Sequence, residues 1–317
     1  SGAISTFTIP AGNQALNEKI EILRSGIQDD INSTESSTAV KSAASELYRL
    51  LMEPAEQLIA GRKRIVIVPH RNLHYLPFAA LTNGEGKPLI NGHSVVYLPS
   101  AATLAICREK SKARKTGKEP FLAGFALGDA ADSEGLGALP GSKAELASIE
   151  KLFKNKELAV EKEFTGEKIL SLSPEADYLH FATHGVLDET NPYCSGLATS
   201  GELFCVEDIF NMPSLNKCTL ATMSACKTAL GRIYGGDDMV GLSRAFLYAG
   251  TPSVTSSLWS VSDESTALLM SYFYENLSRG MSKDEALQKA QLRLMERYPQ
   301  PFHWAPFILI GDWEVYR

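Results

Sequence analysis

Short apolar runs alternate with segments of helical period along most of this chain, and that alternation constrains its fold more than any other feature. Arg64-Ile-Val-Ile-Val-Pro69, Ser94–Leu98, Phe121–Leu127, Tyr178–Thr183, Cys218–Ser224, Pro252–Leu258 and Phe307–Ile310 read as strands. The first is typical of a buried parallel strand. Between them, Ala101–Lys112, Ser142–Phe153, Lys168–Leu172, Met239–Tyr248, Ser262–Ser278 and Ser282–Arg297 read as helices. Ser142 with Glu145 three residues on has the pattern of a capping box. The alternation predicts an α/β fold in which a mostly parallel sheet is covered by helices on both faces. Ahead of the first strand, Asn13–Arg24 and Val40–Ile59 have helical spacing, the second broken at Pro54. The Ser/Thr/Asp-rich stretch Ser25–Ser37 between them reads as a loop or linker.

A length of 317 residues suits two domains or one large one. Arg108–Glu119 holds six Lys/Arg and two Glu and reads as a solvated linker. It sets an expected boundary near residue 116, with halves 1–115 and 116–317. The formal net charge of −6 argues against a protein that chiefly binds nucleic acid or anionic membranes. No apolar run approaches the ~18–20 residues of a spanning helix. The chain opens Ser1-Gly2-Ala3 without methionine or a signal segment, as a piece of something longer would. Five cysteines, at 107, 194, 205, 218 and 226, form no CxxC pair. An odd count without a disulfide pattern points to a reduced, cytoplasmic compartment, and no metal or cofactor is expected.

In open α/β sheets reactive residues gather beyond the carboxyl ends of strands. His184 follows the apolar strand Tyr178–Thr183 and precedes Gly185, while Cys226 closes the run Cys218–Cys226. A thiol needs a base or a positive environment to supply thiolate near neutral pH, and an imidazole on the same sheet edge provides one. The separation 226 − 184 = 42 leaves room for a crossover. The backbone N–H groups of Gly185 and Cys226 would form an oxyanion hole. His180, on the same strand face as His184, reads as core or as support behind the site. His70, His74 and His303 read as structural, and Gly135–Gly141 as a loop.

These residues carry a family resemblance. His180-Phe-Ala-Thr-His184-Gly185, Ser195-Gly-Leu197, Ser224-Ala-Cys226-Lys-Thr-Ala-Leu-Gly231, Gly235–Gly250, Ser257–Asp263 and His303–Phe307 resemble the CHAT domain of the caspase-like cysteine peptidases, and Leu73–Leu81 resembles its amino-terminal motif. The resemblance implies an active carboxyl-terminal half preceded by an inactive pseudo-peptidase half, with His184 as catalytic histidine and Cys226 as nucleophile. It departs from the family at Lys227, where an acidic residue is usual. The implied partners are a protein substrate and a regulatory protein or amino-terminal repeat domain, in bacterial defence or programmed death. A non-catalytic scaffold and a cysteine acyl hydrolase or transferase stay open as alternatives. For the substrate pocket, Trp259 and Asp263 lie on the turn after a strand beside the cysteine, with Asp188 and Asp237 as further sources of negative charge. Asp263 suits a basic side chain, though Ser262 and Asp263 also read as a helix N-cap. Thr190–Gly201 and Gly231–Asp238 have the composition of loops bordering the cleft.

Overall fold

A computed structural model of the chain describes residues 4–33, 35–114, 119–130, 135–188, 190–226 and 241–315, with Cys226 described by its backbone. The amino-terminal part comprises α1 (Asn13–Asp29), α2 (Thr38–Leu51), α3 (Glu56–Ile59), β1 (Arg64–Ile67), β2 (Ser94–Tyr97) and α4 (Ala101–Ala113). Then follow β3 (Phe121–Ala126), α5 (Pro140–Glu150), β4 (Asn155–Val160), α6 (Gly166–Leu172), β5 (Tyr178–Val186), β6 (Gly196–Ala198), β7 (Leu203–Cys205) and α7 (Val206–Asn211). The chain ends in β8 (Leu220–Cys226), α8 (Gly241–Ala249), β9 (Ser253–Ser257), α9 (Asp263–Ser278), α10 (Lys283–Arg297), α11 (Pro301–Trp304) and β10 (Phe307–Gly311).

The strands form one sheet in the order β1-β2-β10-β9-β8-β5-β3-β4, with β6 and β7 added as a short antiparallel extension of β5. Among the described residues every neighbouring pair on this path is parallel except β10 and β9. β1, β2 and β10 therefore run opposite to the rest. Phe125, Phe181, Leu179, Ala221, Met223 and Val254 are fully buried, as central strands covered on both faces require. Phe181 packs on Phe246 of α8, while its neighbour His180 meets Tyr274 of α9. Alternation thus assigns α8 to one face and α5 and α9 to the other. The arrangement is the expected α/β fold, a mostly parallel sheet flanked by helices.

Several expectations are corrected. Among the described residues β1 is an edge strand, and Val66 and Val68 are exposed. α1 runs five residues past Arg24, to Asp29, and a 3-10 turn carries it to Asn32, so much of Ser25–Ser37 is helix. Burial of Ile27 continues the stripe begun by Ile20 and Leu23. The basic run is not a solvated linker throughout. Its first part is the end of α4, and the buried Arg114 donates to the carbonyls of Asn216, Leu215 and Gly250 at 2.6, 2.9 and 2.7 Å. Residue 116 itself, the expected boundary, lies outside the described residues.

Candidate active site

β5 and β8 lie side by side and parallel, in a register that ends with His184 opposite Cys226. Both positions sit at the carboxyl ends of adjacent strands. His180, Ala182 and His184 alternate along β5 opposite Thr222, Ser224 and Cys226 of β8. β5 does not stop at Thr183 but continues to Val186, because β6 pairs with its end, Gly185 with Leu197 and Val186 with Gly196. Gly185 is buried within this ladder.

The half-buried His184 ring is held through Nε2, 3.1 Å from the carbonyl oxygen of Gly137. A carbonyl only accepts, so Nε2 carries a proton and the neutral ring keeps its lone pair on Nδ1. Gly137 belongs to the loop between β3 and α5. Gly128 turns the chain out of β3 at φ +64, a conformation that suits glycine. The loop is cinched at its base: Gly128 N donates to Ser142 Oγ at 2.9 Å, and Leu139 N to Gly128 O at 2.7 Å. The capping box read at Ser142 is therefore absent. Pro140 starts α5 two residues earlier, as proline at a first helical position does, and Glu145 turns inward.

Inward, Glu145 is 4% exposed and His180 0%. The Glu145 carboxylate lies 2.9 Å from His180 Nε2 through one oxygen and accepts from Ser224 Oγ at 3.0 Å through the other. His180 Nδ1 lies 3.2 Å from the Tyr274 hydroxyl, which donates to Thr222 Oγ1 at 3.0 Å. A buried carboxylate is costly unless paired and hydrogen-bonded, and both of its oxygens are engaged here. Desolvation pushes the Tyr274 hydroxyl far up from its ordinary range.

The residues expected to line a substrate pocket separate. Trp259 is corrected to a core residue: it is fully buried, and its Nε1–H donates to Phe302 O at 3.1 Å. Asp263 opens α9, and its Oδ2 accepts from Gly141 N, in the first turn of α5, at 3.2 Å. Ser262 holds the N-cap position without a side-chain capping bond, and Asp263 serves the neighbouring helix. Asp188 Oδ1 accepts from Thr190 Oγ1, Thr190 N and Asn191 N, which holds its carboxyl below the ordinary range. Asp237, Lys227 and the loop 231–238 lie outside the described residues. Of the other expected loop, Gly196–Ala198 is buried strand, and Thr183 Oγ1 donates to Ala198 O at 2.6 Å. His303 is buried against Ser265 Oγ, 3.0 Å from its Nδ1, and desolvation lowers its pKa. Among the described residues no cluster of three His, Cys, Asp or Glu could hold a metal ion. Nor, among them, is any helix long and apolar enough to cross a membrane. Gly137, Glu145 and Tyr274 were not singled out as site residues by sequence. The signal available was the pair of histidines four apart on one strand, which calls for a polar partner beneath them.

Residues 41–312 match the family described as the CHAT domain. The chain is 26% identical over 321 residues to tetratricopeptide repeat protein 28 of Mus musculus, covering 84% of this chain and 13% of that protein. It is 24% identical to the Homo sapiens protein of the same name over 380 residues, covering 98% and 15%. The chain thus spans a small part of the curated relatives it matches. Among solved structures it resembles the Arg-specific cysteine proteinase gingipain R of Porphyromonas gingivalis, with TM-score 0.59 and 10% identity over 96% of this chain and 76% of that one. It also resembles separase of Saccharomyces cerevisiae, solved with securin, with TM-score 0.52 and 18% identity over 78% of this chain and 15% of that one. At these identities the likeness is one of fold.

Proposed function

The chain belongs to the CHAT domain family, and from that premise we propose that it is a cysteine endopeptidase with Cys226 as nucleophile and His184 as base. The observation that carries the reading is the register of His184 opposite Cys226 at the carboxyl ends of adjacent parallel strands. His184 Nδ1, which holds the lone pair when Nε2–H is engaged by Gly137, takes the thiol proton. The thiolate adds to the scissile carbonyl, and the oxyanion is met by the backbone N–H groups of Gly185 and Cys226. His184 returns the proton to the leaving amine, and water then hydrolyses the thioester. The presence of both dyad residues weighs against a scaffold that has lost its chemistry.

Asp263 is the proposed source of negative charge toward a basic residue before the cleaved bond, with Asp188 and Asp237 as secondary sources. One Asp263 oxygen is engaged by Gly141 N, which fixes the carboxylate, and among the described residues the other stays open to a guanidinium. The protein substrate is joined by a regulatory partner or an amino-terminal repeat domain, a reading supported by relatives named for tetratricopeptide repeats.

The test is labelling with an electrophilic peptide, with and without Cys226→Ala, followed by a positional-scanning peptide library. Cys107 and Cys218 are buried, and desolvation raises both thiols, so background labelling falls to the half-exposed Cys194 and Cys205. Cys226→Ala and His184→Ala should each abolish cleavage by orders of magnitude. Cleavage retained by Cys226→Ala sinks the dyad, and a wild type unlabelled and inert favours the scaffold. Labelling and turnover of esters without peptide cleavage favours the acyl hydrolase. A preference for Arg that Asp263→Ala abolishes supports the basic pocket.

A further inference from the structure

We propose that Glu145 and His180 are positioning residues for the dyad, a buried pair that locks together the two strand ends and the helix on which its geometry depends. The proposal rests on the peptidase reading and deepens it. Glu145 reaches both dyad strands at once. One oxygen is bonded to His180, four residues before His184 on β5, and the other to Ser224, two residues before Cys226 on β8. A second link closes the circuit, from His180 through Tyr274 of α9 to Thr222 of β8, the register partner of His180. The same helix that carries Glu145 is entered from the loop whose Gly137 carbonyl holds the His184 ring. The register of the strands, the rotation of the imidazole and the seat of α5 are thereby tied to one carboxylate.

Stability alone does not call for such a group. Apolar side chains of similar volume serve a buried position as well as an ion pair or better. Directional bonds give something packing does not: fixed angles and a unique register, where a slip of one residue would turn every side chain of a strand to the other face. A nucleophile and base need that fixity, since misplacement by about 1 Å can cost on the order of a hundredfold in rate. The network ends immediately below the dyad positions, where such control acts.

The experiment follows alkylation of Cys226 by iodoacetamide against pH, located by mass spectrometry, in the full chain. In the wild type, the midpoint should lie below the ordinary thiol value of about 8.5. Glu145→Gln keeps the volume and removes the charge. It should retain native circular dichroism, shift the midpoint upward and slow alkylation at pH 7 by about tenfold or more. On a cleaved peptide kcat should fall while KM stays within about twofold, the split expected of lost positioning. Should Glu145→Gln fail to fold, Ser224→Ala, which removes only the bond to β8, should show the same upward shift. A folded Glu145→Gln, or failing that Ser224→Ala, with the wild-type midpoint and rate would overturn the proposal while leaving the dyad standing. A wild-type Cys226 that titrates as an ordinary thiol, or cleavage retained by Cys226→Ala, would overturn the peptidase reading and this proposal with it.

Discussion

Lys283 is 1% exposed, and its ammonium donates to Ser253 Oγ at 2.8 Å and to the Asp312 carbonyl at 3.4 Å. Loss of hydration lowers its pKa to about 8, against the opposing pull of the Asp312 charge. Below about pH 8 both folded and unfolded chains carry the proton, and this group adds no slope to stability. Between about 8 and the ordinary 10.5 the folded chain has released it and the unfolded chain has not. Unfolding then takes up a proton, so stability rises with pH through this window and levels off above it. The difference amounts to on the order of 3 kcal/mol at most. Urea midpoints of wild type and Lys283→Met at pH 7 and pH 10 should show the wild type gaining on the variant as pH rises. A gap that does not change with pH would remove Lys283 as its source. Nothing in the local sequence marks this lysine, because its partners Ser253 and Asp312 lie 30 and 29 residues away along the chain.

The hairpin of β6 and β7 sits against the end of β5, and Gly196 is where backbone approaches backbone. A Cβ there would lie 2.4 Å from the carbonyl oxygen of Phe204, which has no flexible end to move aside. At Gly124 in β3 a Cβ would meet Leu146 Cδ1 at 2.5 Å and Leu158 Cδ2 at 2.9 Å, both tips of rotatable side chains. Gly196→Ala should therefore cost about 2–3 kcal/mol and Gly124→Ala about 1 kcal/mol in denaturant unfolding. Because Gly196 pairs with Val186, two residues past His184, Gly196→Ala should also slow Cys226 alkylation and Gly124→Ala should not. Equal costs at the two glycines would contradict the backbone contact. The same elements show what was legible. Central strands announced themselves as unbroken apolar runs, and the adjacency of 184 and 226 could be read from two strand ends. Strands of three residues carry no readable period, so β6 was taken for loop and β7 was not read at all. Glu145 was masked because its spacing from Ser142 imitates a cap, and only the third dimension places His180 beneath it. The loop 231–238, read from composition as bordering the cleft, lies outside the described residues.

The two parts of the chain on either side of residue 116 share one sheet, joined where β2 pairs with β10. β1, β2 and β10 run opposite to β5 and β8, so β1 and the segment carrying His70 and His74 end at the edge away from Cys226. Charged contacts bind across this join. Arg64 of β1 grips Asp284 of α10 with two bonds, at 2.5 and 2.9 Å, although 220 residues separate them. Ser94 and Ser282 add hydroxyl bonds to the same carboxylate. Burial opposes ionisation of Asp284, yet the bonds from Arg64 and the two serines outweigh it and hold the carboxyl below its ordinary range. Gln288 of α10 reaches the carbonyl of Ile90 at 2.7 Å, and Arg114 holds three carbonyls of the later half. A charge run reads as solvated because its partners are distant in sequence, which is why Arg114 passed for linker. With a continuous sheet and an ion pair on a buried carboxylate across the join, the parts should unfold together. Calorimetry should give one transition whose van't Hoff and calorimetric enthalpies agree. Arg64→Met, which strands a buried carboxylate, should lower the stability of the whole by about 3 kcal/mol and move that single transition without splitting it. Two resolved transitions in the wild type, or a shift in the variant confined to part of the unfolding enthalpy, would mean that the halves are independent units resting against each other.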